Sequence, residues 1–318
     1  MNNKRKIIII GTGVLGAYLS KIYLKFGYKV YVTSRFKKKE YKNYKYLNIQ
    51  NKINFLRLDI MNKKDIKKKI YLINPKIIYY FAGQSSITKS YQKIKETINS
   101  NYYGALNFLN VLKENNLDIK FFKANSGYIF KIFQQYGKLK LKFQEPTNPY
   151  IKSQIEAFKA VKEYRKKRVN CYSLIFLNIE SPLKSNSFLL NKVCNFVKNK
   201  KLKVLKVGNI YLKRDFSWAP EIMKGVFYAS NLSPQDIIFG SGKNFLIKDM
   251  IKYFLQIKRM DFNKTIQIKK SLYRKKEKKS ISFSISKTNN LLKKWNWRPK
   301  IYGNKLVRKL YFSNKLIS

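Results

Sequence analysis

A chain of 318 residues with 45% hydrophobic content is long enough for one large domain or two closely packed ones. It contains two cysteines, Cys171 and Cys194, and no histidine, which excludes cysteine–histidine zinc sites and histidine-based catalysis. The net charge of +53 invites a nucleic-acid reading, yet only ten of the 69 basic residues are arginines. The lysines are spread along the whole chain with abundant Ile, Asn and Tyr, the spectrum of A/T-rich codons rather than of a phosphate-reading surface. No specific nucleic-acid partner is expected, and the run KKEKK at 275–279 reads as a solvated loop. The apolar run IIII at 7–10 is too short to span a membrane or serve as a signal peptide, so the expected setting is the cytoplasm.

The first half alternates strand and helix patterns, which argues for a parallel sheet with helices on both faces. KIIIIG at 6–11 reads as a buried strand, followed by a helix to about Phe26 with an apolar stripe of Leu15, Leu19, Ile22 and Tyr23. Strands follow at 28–35, 53–59, 76–83 and 119–126, with helices at 62–73 and 94–115. Asn148 and Pro149 open a further helix that runs to about Lys167, before CYSLIFLN at 171–178 returns to the sheet. From about 179 the pattern becomes irregular. The expected organisation is a dinucleotide-binding domain over 1–178 and a smaller substrate-side region over 179–318, interwoven with the sheet.

Two stretches carry chemistry directly. GTGVLG, placed after the first buried strand and opening a helix, has the phosphate-loop pattern. Gly11 permits the tight turn, Gly13 lets the backbone approach a pyrophosphate, and Gly16 allows close helix–strand packing. Val14 and Leu15 then bring their backbone N–H groups to the helix N-terminus, where an anion is favoured. At the end of the second strand, TSRFKKK offers Arg35 and no acid before Glu40, which prefers NADP over NAD as the dinucleotide. The second stretch is NPYIKSQIEAF at 148–158. Tyr150 shares a helical face with Gln154, and Lys152 points away. A tyrosine acting as acid or base would want a cation beside it to lower its pKa. From the residues alone, Tyr150 is either a catalytic tyrosine without its partner or a buried aromatic.

Several further stretches, in order along nearly the whole chain, resemble the extended short-chain dehydrogenase/reductase superfamily. The nearest likeness is to the GDP-mannose 4,6-dehydratases and related nucleotide-sugar dehydratases. These stretches are FAGQSSITKSY at 81–91, LNIESPLKSNSFLLNKV at 177–193, VGNIYLKRDFSWA at 207–219, LYRKKE at 272–277 and LLKKWNWRPKI at 291–301. The resemblance implies an α/β fold: a Rossmann-type doubly wound parallel sheet with a smaller C-terminal substrate-binding region. It implies a tightly bound NADP, with NAD the alternative, a nucleotide-sugar substrate such as GDP-mannose, and a homo-oligomer, dimer or tetramer.

Carried over residue by residue, the resemblance places Asp59 at the adenine and Ala82, Gly83 and Gln84 along the cofactor. Asn101 would support the active-site geometry. Ser85, Asn178, Lys192, Arg214 and Arg274 match nucleotide-sugar positions, where basic and amide donors suit a diphosphate. A salt bridge from Arg214 to the adjacent Asp215 is the competing structural role. The implied reaction oxidises the sugar at C4, removes the C5 proton with loss of water from C6, and returns the hydride to C6. Tyr150 and Ser126 match its acid–base pair. The expected lysine is replaced by Gln154, the expected carboxylate by Tyr128, and an expected glycine by Lys131. Two readings follow. One is a nucleotide-sugar dehydratase or a relative with altered chemistry, such as 4-keto reduction or epimerisation. The other is a non-catalytic member that binds dinucleotide and nucleotide sugar.

Overall fold

The computed structural model describes residues 5–35, 41–135, 138–199, 203–273, 279–281 and 283–313. The apolar run before Gly11 becomes strand β1 (Lys6–Ile10), followed by helix α1 (Val14–Lys25) and strand β2 (Lys29–Ser34). A short helix α2 (Lys42–Tyr46) leads to β3 (Asn54–Arg57). Helix α3 (Lys63–Ile73) is opened by Asn62, whose side chain accepts from Asp65 N, and precedes β4 (Ile77–Tyr80).

The single helix expected over 94–115 is interrupted. After α4 (Ile87–Gln92), helix α5 (Ile94–Ile98) passes through a π-turn, Asn99–Tyr103, into α6 (Gly104–Glu114). Such turns insert a residue and re-aim side chains. Here the turn carries the fully buried Asn101.

Strand β5 (Lys120–Ser126) is followed by an antiparallel hairpin of β6 (Phe130–Gln135) and β7 (Lys138–Phe143). Then come α7 (Pro149–Lys166), β8 (Cys171–Phe176), β9 (Asn178–Glu180), α8 (Leu189–Asn199) and β10 (Leu205–Val207). The chain continues through β11 (Lys213–Arg214), β12 (Phe216–Trp218), α9 (Ala219–Ala229) and β13 (Asp236–Phe239).

The central sheet has seven strands in the order β13-β8-β5-β4-β1-β2-β3. The five pairs from β3 to β8 are all parallel. This is the doubly wound α/β arrangement. On one face Ile8, Tyr80 and Phe121 pack with Phe108 and Leu112 of α6 and Val161 of α7. On the other, Tyr79, Phe122 and Tyr172 stack across three strands, and the Tyr79 hydroxyl meets that of Tyr23 on α1 at 2.6 Å.

The chain divides into two compact units, the first of 1–176 with 226–238 and the second of 177–225 with 239–318. The first unit therefore contains a segment that follows an excursion through the second. Arg165 ties that segment down, bonding Asp236 at 2.7 Å and the Cys171 carbonyl at 2.8 Å. The second unit has its own core, built on Leu190, Val193, Phe216, Trp218, Phe254 and Leu306 among others. Among the described residues no helix is long and apolar enough to cross a membrane, and no cluster of acidic or cysteine side chains could hold a metal ion.

Candidate active site

The phosphate loop has the form its glycines demand. Gly11 adopts φ 106°, and a Cβ there would come within 2.9 Å of Ala82 N, so the β1 and β4 loops touch through backbone. A Cβ on Gly16 would press on Gly11 O and Ile9 Cγ2, each at 3.0 Å. In front of Gly13 there is open space, with nothing within 4 Å of where its Cβ would be. Gly13 is also the N-cap of α1 and supplies no side-chain cap, so the first N–H groups of that helix, from Val14 and Leu15 on, face an uncrowded approach. A pyrophosphate fits such a cradle. Arg35 is exposed directly after β2, while 36–40, with the lysines and Glu40 weighed above, lie outside the described residues. Asp59 is exposed after β3, and its Oδ1 accepts from Met61 N at 2.9 Å.

The loop after β4 is locked by Asn101. Its Nδ2 donates to Gln84 O at 3.2 Å and to Ser153 Oγ at 3.0 Å, joining the loop to α7. Gly83, at φ 156°, is held so close that a Cβ would collide with Asn101 Oδ1. Ala82 is half-buried beside it, Gln84 Oε1 accepts from Ser86 N at 2.9 Å, and Ser85 is exposed.

Tyr150 sits in the first turn of α7, whose N-cap is Asn148. Asn148 Oδ1 accepts from Ile151 N at 2.9 Å, and Pro149 follows as a fixed first residue. Tyr150 is buried, and the Ser126 hydroxyl at the end of β5 lies near enough to act on its phenol, as does Tyr128. Ser126 Oγ also accepts from Tyr128 N at 3.2 Å. Burial pushes the Tyr150 phenol up to about 12; the Ser126 hydroxyl opposes this and Tyr128 adds to it. Among the described residues no cation or carboxylate bears on Tyr150. Gln154 is buried one turn on, its Oε1 without a hydrogen-bond partner, while Lys152 is exposed as the helical spacing predicts. Glu145 is exposed, and Glu156 pairs with Lys159 at 3.1 Å. A buried amide oxygen without a donor, at the level of the phosphate-loop side of the sheet, suits a ribose hydroxyl.

In the second unit, Asn178 Nδ2 donates to Asp215 O at 2.9 Å across the parallel β9–β12 pairing. Arg214 is buried and donates to Lys213 O at 2.8 Å. The Asp215 carboxylate, the alternative partner considered for Arg214, accepts from Ser241 N and Oγ at 2.8 Å and from Gly242 N at 2.7 Å. Lys192 Nζ donates to Lys206 O at 2.8 Å. Glu180 is held by Lys184 at 2.7 Å. Arg274 lies outside the described residues.

Sequence reasoning missed Ser153, which is small, polar and visible only through its bond to Asn101. It also missed Lys123, 1% exposed in the middle of β5, for which the signal was a lysine inside the apolar strand KFFKANS.

The chain belongs to the GDP-mannose 4,6 dehydratase family, whose pattern matches residues 7–310. It is 24% identical to GDP-mannose 4,6 dehydratase 1 of Arabidopsis thaliana over 325 residues, covering 96% of this chain and 88% of that protein. It is 23% identical to the Homo sapiens GDP-mannose 4,6 dehydratase, covering 98% and 91%. Its fold is shared by UDP-glucuronic acid 4-epimerase from Bacillus cereus, at TM-score 0.82 and 20% identity over 96% of this chain and 98% of that one. The dTDP-glucose 4,6-dehydratase from Bacillus anthracis, solved with NAD, is similar at TM-score 0.78 and 15% identity over 96% of each chain.

Proposed function

We propose that this chain is a dinucleotide-dependent nucleotide-sugar enzyme that performs oxidation and reduction at the sugar's C4 and has lost efficient 4,6-elimination. The observation that carries this is the buried Tyr150 phenol, brought close to Ser126 with, among the described residues, neither cation nor carboxylate acting on it. The first unit would hold the dinucleotide, and Asn178, Lys192 and Arg214 are the candidates for contacting a nucleotide sugar. Arg35 favours the 2′-phosphorylated form, NADP. When bound, the dinucleotide supplies a hydride acceptor for C4.

The chain's own residues do the rest. Tyr150 takes the proton of the C4 hydroxyl, and Ser126 holds that oxygen in line. Gln154 Oε1 accepts from a ribose hydroxyl, and the Gly13 cradle receives the pyrophosphate. Removing the C5 proton requires a base placed beside the new ketone. The residue matched to that role is Tyr128, a phenol in place of a carboxylate, and effective acid–base catalysis of such a step is worth about 10²–10⁴-fold. Because the reactive form of Tyr150 is its phenolate, turnover should climb with pH through the alkaline range. Gln154→Lys should move that rise to lower pH.

The experiment incubates the purified protein with NADP or NAD and GDP-mannose, and follows 4-keto, C4-epimeric and 6-deoxy products by NMR. Slow C4 chemistry without 6-deoxy product is expected. Tyr128→Glu with Gln154→Lys should raise dehydration about 10²-fold or more. Formation of 6-deoxy product by the unaltered chain at ordinary enzyme rates would overturn the loss of elimination. The absent cation at Gln154 and the raised Tyr150 pKa also favour a second reading, a protein that binds both ligands without turnover. Its mark would be tight binding of dinucleotide and nucleotide sugar with no product at any pH.

A further inference from the structure

Lys123 is the odd residue of the central sheet. It occupies the middle of β5, between Tyr80 of β4 and Ser173 of β8 in register, and is 1% exposed. Among the described residues no carboxylate pairs with it. Its Nζ donates to the carbonyl of the adjacent Ala124 and lies 5.5 Å from the centre of the Tyr80 ring. A buried amine with so few acceptors is costly, so a second role must outweigh that cost. Three buried oxygens nearby lack partners: Ser173 Oγ, in register on β8, Asn125 Oδ1, two residues along the same face of β5, and Gln154 Oε1 on α7.

The levels of strand and helix can be matched. Cys171, the register partner of Phe121, donates its Sγ to Val161 O at 3.2 Å, so Val161 stands level with Phe121. At the other end, Tyr150 stands near Ser126. From Phe121 to Ser126 on the strand and from Val161 back to Tyr150 on the helix, the chain rises by the same ~16 Å, at about 3.3 and about 1.5 Å per residue. On that scale Gln154 stands level with Ala124, the residue whose carbonyl holds the Lys123 amine. α7 presents the small, buried Ala157 one turn below, leaving the way between them lined by little bulk.

We propose that Lys123 is a positioning residue for Gln154, its Nζ donating to Gln154 Oε1 from beneath when dinucleotide is bound, with Asn125 Oδ1 as second acceptor. Gln154 Oε1 keeps its second lone pair for the ribose hydroxyl, so the lysine below fixes the orientation of the amide that meets it. The lysine expected on α7 has, in effect, been moved to the strand below it, where it acts through an amide. This rests on the dinucleotide reading above.

The test measures NAD and NADP affinity by calorimetry, together with the thermal midpoint, for the unaltered chain, Lys123→Gln, Lys123→Met, Gln154→Lys and Lys123→Gln/Gln154→Lys. Both Lys123 variants should bind dinucleotide about tenfold more weakly, with a midpoint equal or higher, because an unpaired buried amine is gone. Gln154→Lys alone sets two amines at one level and should lower the midpoint. The double variant should recover both affinity and midpoint, showing coupling between the two positions. Unchanged affinity in Lys123→Gln and Lys123→Met, additive effects in the double variant, or loss of folding in both single Lys123 variants would each overturn the assignment. If the unaltered chain binds neither NAD nor NADP, the dinucleotide reading itself falls and this one with it. If the unaltered chain binds and the Lys123 variants bind equally, only the role of Lys123 falls.

Discussion

Burial acts on Lys123 and Tyr150 through the same physics, disfavouring whichever form is charged. The lysine comes down to about 7 and the phenol goes up to about 12. For Lys123 the consequence reaches stability. Between about 7 and the ordinary lysine value of 10.5, the unfolded chain holds a proton that the folded chain lacks. The contribution of Lys123 to stability is therefore complete above the ordinary value and is lost as pH falls through about 7. Stability of the unaltered chain should rise across that window by up to about 1.4 kcal/mol per pH unit relative to Lys123→Met. Urea titrations of both proteins at several pH values would measure the difference, and parallel curves would refute it. Tyr150 has the opposite sign: between the ordinary 10.0 and about 12 the folded chain holds a proton that the unfolded chain lacks, so its contribution is lost as pH rises through about 12.

At the scale of elements, α7 matters most because it carries Tyr150, Ser153 and Gln154 on one buried face. Its first turn depends on Asn148, and Asn148→Ala should cost about 1 kcal/mol. The loss should appear as faster amide exchange in the first turn of α7, with β5 amides unchanged. Equal acceleration in both elements would mean that the cap supports the whole unit instead. This helix start was legible in the sequence because Asn–Pro before an apolar periodicity has a local cause. The buried strands and the glycine loop were legible for the same reason, each resting on a pattern a few residues long. The break of the 94–115 helix into α5, a π-turn and α6 was not, because it answers a partner far along the chain: Asn101 must reach both Gln84 and Ser153. The β6–β7 hairpin did leave a signal, the alternation KLKLKF at 138–143, which reads as a strand of period two. Lys123 left one signal, its place inside the apolar run KFFKANS, which is easily passed over among 69 basic residues.

Across the whole molecule the charge of +53 is carried by 69 basic residues spread along the sequence, the distribution expected of compositional bias. Duplexes of unrelated sequence should therefore bind with equal affinity, and that affinity should fall at least tenfold between ~50 and ~200 mM salt. A sequence preference surviving at the higher salt would contradict this. The chain's return at 226–238 has a consequence of a different kind, in the order of synthesis. The edge of β8, a strand buried at all six positions, is completed by β13. Those residues emerge from the ribosome only after the 177–225 excursion has been made. Until then the nascent sheet ends in an unpaired apolar edge, the feature most prone to pairing with another chain. The first unit therefore cannot finish folding until the 177–225 excursion and the return at 226–238 have been made, although it is complete before 239–318 of the second unit are synthesised. A chain stalled or cut near residue 225 should become a client of chaperones rather than a smaller folded protein.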